Sequence, residues 1–116
     1  DDVRQVVGEA LTVLQPGAVI VDHTTTSARV AREMTAASEA RGVRFIDAPV
    51  SGGQAGAENG QLSVMAGGDA EALERVRPVL MAYAKAIQHM GSSGAGQLTK
   101  MVNQIAIAGV VQGLAE

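Results

Sequence analysis

The sequence predicts an α/β fold, and three observations carry that expectation. Segments with helical apolar spacing alternate with short apolar runs along most of the chain. The run AVIVD at 18–22 is continuously apolar up to its aspartate, as suits a strand buried on both faces of a parallel sheet. Gln15-Pro16-Gly17, Ser51-Gly52-Gly53 and Gly67-Gly68-Asp69 punctuate the boundaries.

Residues 2–14 place Val3, Val6, Val7, Ala10, Leu11 and Leu14 on one helical stripe, ended by Pro16 and Gly17. After the strand at 18–22 comes a polar turn, His23 to Ser27. Thr26 or Ser27 can cap the next helix, expected over 27–41 and stopped at Gly42. VRFIDAPV at 43–50 reads as a strand closed by Pro49 and the Ser51-Gly52-Gly53 turn. A loop of small residues follows to Gly60.

LSVMA at 62–66 is strand-like. A helix begins after Asp69 and ends near Tyr83, and residues 85–90 form a last short strand. Residues 91–96 read as a flexible hinge before a long apolar helix, which makes them the best place for a domain boundary. The division expected is 1–93 and 94–116, with the chain an internal part of a longer protein.

Composition excludes several classes of function. The net charge is −3, basic residues do not cluster, and one Phe, one Tyr and no Trp leave no stacking platform for nucleic acid. With no cysteine and two distant histidines, no metal site is expected. No apolar run approaches the ~20 residues of a membrane span, so no membrane partner is expected and a cytoplasmic setting is. At 47% hydrophobic and 18% charged, the chain is apolar enough that some faces are expected to be covered, by more chain or in a homo-oligomer.

Lys100 is the only formally charged side chain between Lys85 and Glu116. The helix around it, QLTKMVNQIAIAGVVQGLAE from Gln97, reads as buried on most sides. Lys100, Asn103 and Gln104 are spaced i, i+3, i+4 and share one helix face. A lysine there is either reactive or ligand-facing, or it reaches solvent from the first turns.

Two polar turns sit where ligands collect in such sheets, outside the carboxyl ends of strands. In the turn from Asp47 to Gly53, the Ser51 hydroxyl and the unobstructed backbone of Gly52 and Gly53 could cradle a carboxylate or phosphate. The same glycines could equally serve a tight turn. In the turn from Asp22 to Thr26, the threonines could face a ligand or merely cap a helix, and His23 reads as a turn residue rather than a base. No Gly-x-Gly-x-x-Gly opens a helix after a strand, and Gly94-x-Gly96 is discounted as a phosphate loop.

FIDAPVSGG (45–53) followed by GAGQLTKMVNQ (94–104) resembles the β-hydroxyacid dehydrogenases, the family of 3-hydroxyisobutyrate dehydrogenase, tartronate semialdehyde reductase and, more distantly, 6-phosphogluconate dehydrogenase. AVIVDHTTTSA resembles the family's strand and turn beside the nicotinamide, and ENGQLSVMAGGD its later strand. The resemblance covers nearly the whole chain. It implies the second half of a Rossmann-like dinucleotide-binding domain followed by the start of a long interdomain helix.

The same resemblance implies an NAD- or NADP-dependent oxidoreductase that interconverts a short 3-hydroxy acid and its semialdehyde. Lys100 stands where the family keeps its acid–base lysine. Ser51, Gly52 and Gly53 stand where the substrate carboxylate is held, Thr25 where a hydroxyl residue contacts the cofactor, and Asn103 and Gln104 where substrate is bound. The sequence departs from the family at Gln104, where many members carry Asn, and at Ala28, where proline is frequent. The glycine-rich pyrophosphate loop is not in this sequence, so the 116 residues are expected to be inactive alone. Two rival readings are a non-catalytic small-carboxylate-binding module and an oligomerising fragment built on the apolar last helix.

Overall fold

The computed structural model describes residues 2–102. Helix α1 spans Asp2–Leu11, strand β1 Val19–Asp22, helix α2 Ala28–Glu39, strand β2 Arg44–Asp47 and strand β3 Val50–Ser51. They are followed by helix α3 Gly53–Glu58, strand β4 Leu62–Gly67, helix α4 Ala70–Leu80 and strand β5 Ala84–Gly91. A further helix, α5, runs over 95–102. The predicted α/β class is what forms, with helices on both faces of one sheet.

β1 and β2 pair in parallel from Val19↔Arg44 to Asp22↔Asp47, the register expected across a helical crossover. β4 runs antiparallel to β2 and β3 and parallel to β5. The sheet is therefore mixed. The expected strand over 43–50 divides at Ala48-Pro49, because proline has no N–H to give to a ladder. Both pieces still pair with β4, β2 through Asp47↔Gly67 and β3 through Val50↔Val64 and Ser51↔Ser63.

Alternation along β2 divides the core in two. Phe45 packs with Val3, Val7, Leu11, Val30 and Met34 beneath α1 and α2. Its neighbour Ile46 packs with Val64, Leu73 and Leu80 beneath α4. Each is almost fully buried, which stabilises the fold by about 1.5–3 kcal/mol per side chain.

Local signals explain most boundaries. Ser27 caps α2 by accepting from the Val30 N–H, and Asp69 caps α4 by accepting from the Ala72 N–H. α1 stops at Leu11 and leaves Val6 63% exposed, so the buried stripe is the narrower Val3, Val7 and Leu11.

Three expectations need correction. Residues 52–60 hold helix α3 rather than only a loop, supported by a Gln54–Glu58 side-chain hydrogen bond at 3.0 Å. β1 is half-buried along its length rather than enclosed, and it is the outermost strand among the described residues. α5 is not covered on most sides in its described turns: Leu98, Met101 and Val102 are exposed. No helix among the described residues is long and apolar enough to cross a membrane.

Candidate active site

The site begins with a buried carboxylate. β2 ends at Asp47, whose side chain has no exposed surface. Its Oδ1 accepts from the Gly94 N–H at 2.8 Å and its Oδ2 from the Gln97 N–H at 3.1 Å. Asp47 thereby occupies the N-terminus of α5, where unpaired amides and the helix dipole favour an anion. The Gly94-x-Gly96 segment binds the protein's own carboxylate. Burial raises the Asp47 pKa above its ordinary value, against the opposing pull of the Gly94 and Gln97 amides.

Small residues make this approach possible. A Cβ at Gly96 would overlap the Met65 carbonyl oxygen and lie 2.8 Å from that of Asp47. One at Gly67 would lie 2.7 Å from Asp47 Oδ1 and 2.8 Å from the Gly96 nitrogen. The segment expected to be a hinge is thus where α5 is fastened to the sheet.

Gln97 carries the connection onward. Its side chain is almost fully buried, and its amide grips the turn after β1 on both sides of Thr25. Nε2 donates to the Thr24 carbonyl at 2.7 Å, and Oε1 accepts from the Thr26 N–H at 3.0 Å. Thr25 itself is exposed. Asp22 Oδ1 accepts from the Thr24 N–H at 3.0 Å and from the Thr24 hydroxyl, while its Oδ2 is buried with no hydrogen-bond partner among the described residues.

His23 joins this turn to the next one. Its Nδ1 lies 2.7 Å from the Ala48 carbonyl oxygen and its Nε2 2.5 Å from the Tyr83 hydroxyl. A carbonyl can only accept, so Nδ1 carries the proton; in the neutral ring Nε2 then accepts from Tyr83. The two rings also meet edge to face, with centroids 5.5 Å apart.

Lys100 follows Gln97 by three residues and so shares its helix face. The half-buried side chain donates from Nζ to the Val50 carbonyl at 2.9 Å. That carbonyl immediately precedes Ser51, which is exposed at the end of β3 and pairs with Ser63. Gly52 has φ +124, a conformation that favours glycine, and α3 starts at Gly53. The structure therefore brings Lys100 to the Ser51-Gly52-Gly53 turn and ties the Thr25 turn to the same helix face. Asn103 and Gln104 lie outside the described residues.

A cleft of about 470 Å³ lies elsewhere. Its lining includes Thr35, Arg44, Asp69 and His89 but not Lys100, Ser51 or Thr25. The candidate site consists of two turns at strand ends rather than an enclosed cavity. No cluster of three or more metal-ligating side chains occurs among the described residues.

Sequence reasoning placed Asp47 in a turn without giving it a task, and it missed Gln97. The available signals were an aspartate inside the apolar FIDAPV run and a glutamine one helical turn before the lone lysine.

Residues 1–91 match the NAD binding domain of 6-phosphogluconate dehydrogenase. The chain belongs to this family. The family is one of dinucleotide-binding domains, in keeping with the strand-end turns described above. An uncharacterized oxidoreductase of Shewanella frigidimarina is 61% identical over all of this chain, the Lys100 helix included, and the chain spans 41% of that relative.

The NAD-dependent L-serine dehydrogenase of Pseudomonas aeruginosa is 44% identical over 91% of this chain, which spans 36% of it. Among solved structures, Mycobacterium tuberculosis 3-hydroxyisobutyrate dehydrogenase with L-serine superposes with a TM-score of 0.89. It is 42% identical, over 91% of this chain and 36% of that one. The chain thus spans about two fifths of the length of the relatives it matches, and the family match ends just before the lysine helix.

Proposed function

We propose that this chain is part of a nicotinamide-dependent oxidoreductase that interconverts a short 3-hydroxy acid and its semialdehyde, with Lys100 as the acid–base group. The observation that carries the reading is one helix face in contact with two strand-end turns. Lys100 reaches the carbonyl before Ser51, and Gln97 grips the turn that presents Thr25. Relatives named for L-serine and 3-hydroxyisobutyrate support the substrate class, since both compounds carry a hydroxyl three carbons into a carboxylic acid.

Thr25 fits a cofactor contact because its hydroxyl is exposed outside the carboxyl end of β1, on a turn whose flanking backbone groups are already satisfied. When bound, the nicotinamide would supply the site that accepts or gives the hydride.

The chain's own residues handle the proton and the carboxylate. A lysine amine has three positions for protons, one of which is occupied by the Val50 carbonyl. As the neutral amine, Lys100 takes the substrate hydroxyl's proton on its lone pair in oxidation, and the ammonium so formed returns it in reduction. The Ser51 hydroxyl and the Gly52-Gly53 backbone orient the substrate carboxylate, with Asn103 and Gln104 completing the substrate contacts. Residues 1–93 would be the later part of the cofactor domain and 94–116 the start of a helical domain. The exposed Leu98, Met101 and Val102 support covering of that helix, in a homo-oligomer or by the second domain.

The test is nicotinamide reduction by the complete polypeptide with a panel of short 3-hydroxy acids, NAD and NADP, beside Lys100→Ala. Turnover that falls about 10²–10⁴-fold in the variant, with cofactor binding intact, is expected. Turnover retained in Lys100→Ala would remove the lysine from the chemistry. A folded wild type inactive with every acid would instead favour a carboxylate-binding module.

A further inference from the structure

We infer that Gln97 is a positioning residue that makes the cofactor-facing turn and the lysine helix one mechanical unit. This rests on the reaction proposed above, since it assigns Thr25 to the cofactor and Lys100 to the proton. Three hydrogen bonds define the role. The Gln97 side chain donates to the Thr24 carbonyl at 2.7 Å and accepts from the Thr26 N–H at 3.0 Å. Its own backbone N–H donates to the buried Asp47 carboxylate at 3.1 Å.

An amide suits this task. It offers a donor and an acceptor on one rigid plane, matched here to a carbonyl and an N–H two residues apart. No other side-chain group of this length can satisfy both: a glutamate would set an oxygen against the Thr24 carbonyl, and a methionine would satisfy neither. Because the amide is almost fully buried, losing it leaves the turn's polar groups without their partners. The residue touches neither reacting atoms nor substrate. It acts through Thr25 on one side and, one helical turn further, through Lys100 on the other.

Coupling follows from the short path. Fixing Thr24 and Thr26 fixes Thr25 between them, and Lys100 sits three residues along the same helix face. A displacement of the turn is carried to the helix through a packed side chain rather than through solvent.

The experiment uses the complete polypeptide, with Gln97→Met to remove both side-chain hydrogen bonds and Gln97→Asn as a milder change that withdraws the amide by one methylene. Binding of NADH and NADPH is followed by nucleotide fluorescence, and exchange of the amides at 24–26 by hydrogen–deuterium exchange without nucleotide. For Gln97→Met the dissociation constant of the preferred nucleotide is expected to rise about ten-fold, from the loss of two buried hydrogen bonds. Exchange in the turn should quicken.

A Thr25→Ala substitution should add little to that rise, since both changes act on one contact. A variant that is only less stable would lower the binding amplitude and leave the dissociation constant in place. If Gln97→Met does not fold, Gln97→Asn is read in the same way.

Unchanged nucleotide affinity with unchanged exchange in a folded variant would overturn the inference, as would losses from Gln97 and Thr25 that multiply independently. Wild type that binds nucleotide but oxidises none of the acids would overturn the proposed reaction, and the binding measurements would still decide the role of Gln97 toward the turn. Wild type that binds neither nucleotide would overturn both.

Discussion

The Asp47 carboxylate meets the backbone N–H of Gln97 at 3.1 Å, so the end of β2 and the first turn of α5 are joined by a buried charge-assisted hydrogen bond. Fifty residues separate the two along the chain. The contact fixes where α5 begins, and the beginning of α5 fixes where Gln97 and Lys100 point. A strand-end aspartate thereby sets the placement of two side chains that it does not itself touch.

Titration should make this contact visible. Burial lifts the Asp47 pKa, so the folded protein holds that proton more tightly than the unfolded chain. The stability contributed by this group is complete below the unfolded carboxylate pKa and is lost as pH rises through the folded one. Asp47→Asn cannot titrate. Its stability deficit against wild type, about 1–3 kcal/mol for a disturbed buried hydrogen-bond pair, should be largest in acid and shrink toward neutral pH. Urea unfolding of both proteins across that range measures it. A deficit that grows with pH would mean that the Gly94 and Gln97 amides outweigh burial.

Close packing at the same junction predicts a second result. Gly96→Ala would drive its methyl into the Met65 and Asp47 carbonyls, both on β-strands that cannot retreat without breaking their ladders. The expected loss is about 2 kcal/mol or more. Gly8→Ala is the matched control, because a Cβ there has no heavy atom within 4 Å and the site lies in α1. Thermal unfolding should show Gly8→Ala at or above the wild-type midpoint and Gly96→Ala well below it.

These residues also mark how far the sequence could be read. A cap at Thr26 or Ser27 was legible because the signal is local: hydroxyl residues between a polar turn and a helical stripe, of which Ser27 is the one that caps. Pro49 was legible as a strand stop for an equally local reason, but the separate strand β3 beyond it was read as part of the same strand. Lys100 stood out because a lone charge in an apolar helix needs an explanation. Gln97 did not, since nothing nearby reveals that its partners are Thr24 and Thr26, more than seventy residues earlier. Asp47 was visible as an aspartate in an apolar strand, yet its partners come from the far end of the described chain. α3 was missed because glycine and alanine in residues 53–58 suit a loop as well as a helix, and the Gln54–Glu58 pair is a weak signal.

Ser51 separates binding from folding. Its side chain is exposed, so Ser51→Ala should change stability by no more than about 0.5 kcal/mol. If the hydroxyl holds the substrate carboxylate equally in ground and transition states, KM for the acid should rise about ten-fold with kcat little changed. Steady-state kinetics of the complete polypeptide distinguish this from a role in the chemical step, which would lower kcat instead.

His23 and Tyr83 give a prediction about a proton that needs no substrate. The Ala48 carbonyl requires a His23 proton on Nδ1, and in the neutral ring this makes Nε2 the acceptor for the Tyr83 hydroxyl. Burial raises the Tyr83 pKa, which keeps that hydroxyl protonated and able to donate. Tyr83→Phe removes the donor and leaves Nε2 unpaired in a half-buried place, at an expected cost of about 0.5–1.5 kcal/mol. It should not move the proton, since the Ala48 carbonyl still holds Nδ1–H. Nitrogen chemical shifts of His23 in labelled protein should therefore report the Nδ1–H form in both wild type and Tyr83→Phe. A shift to the Nε2–H form in the variant would mean that tyrosine, not the carbonyl at the end of β2, dictates the tautomer.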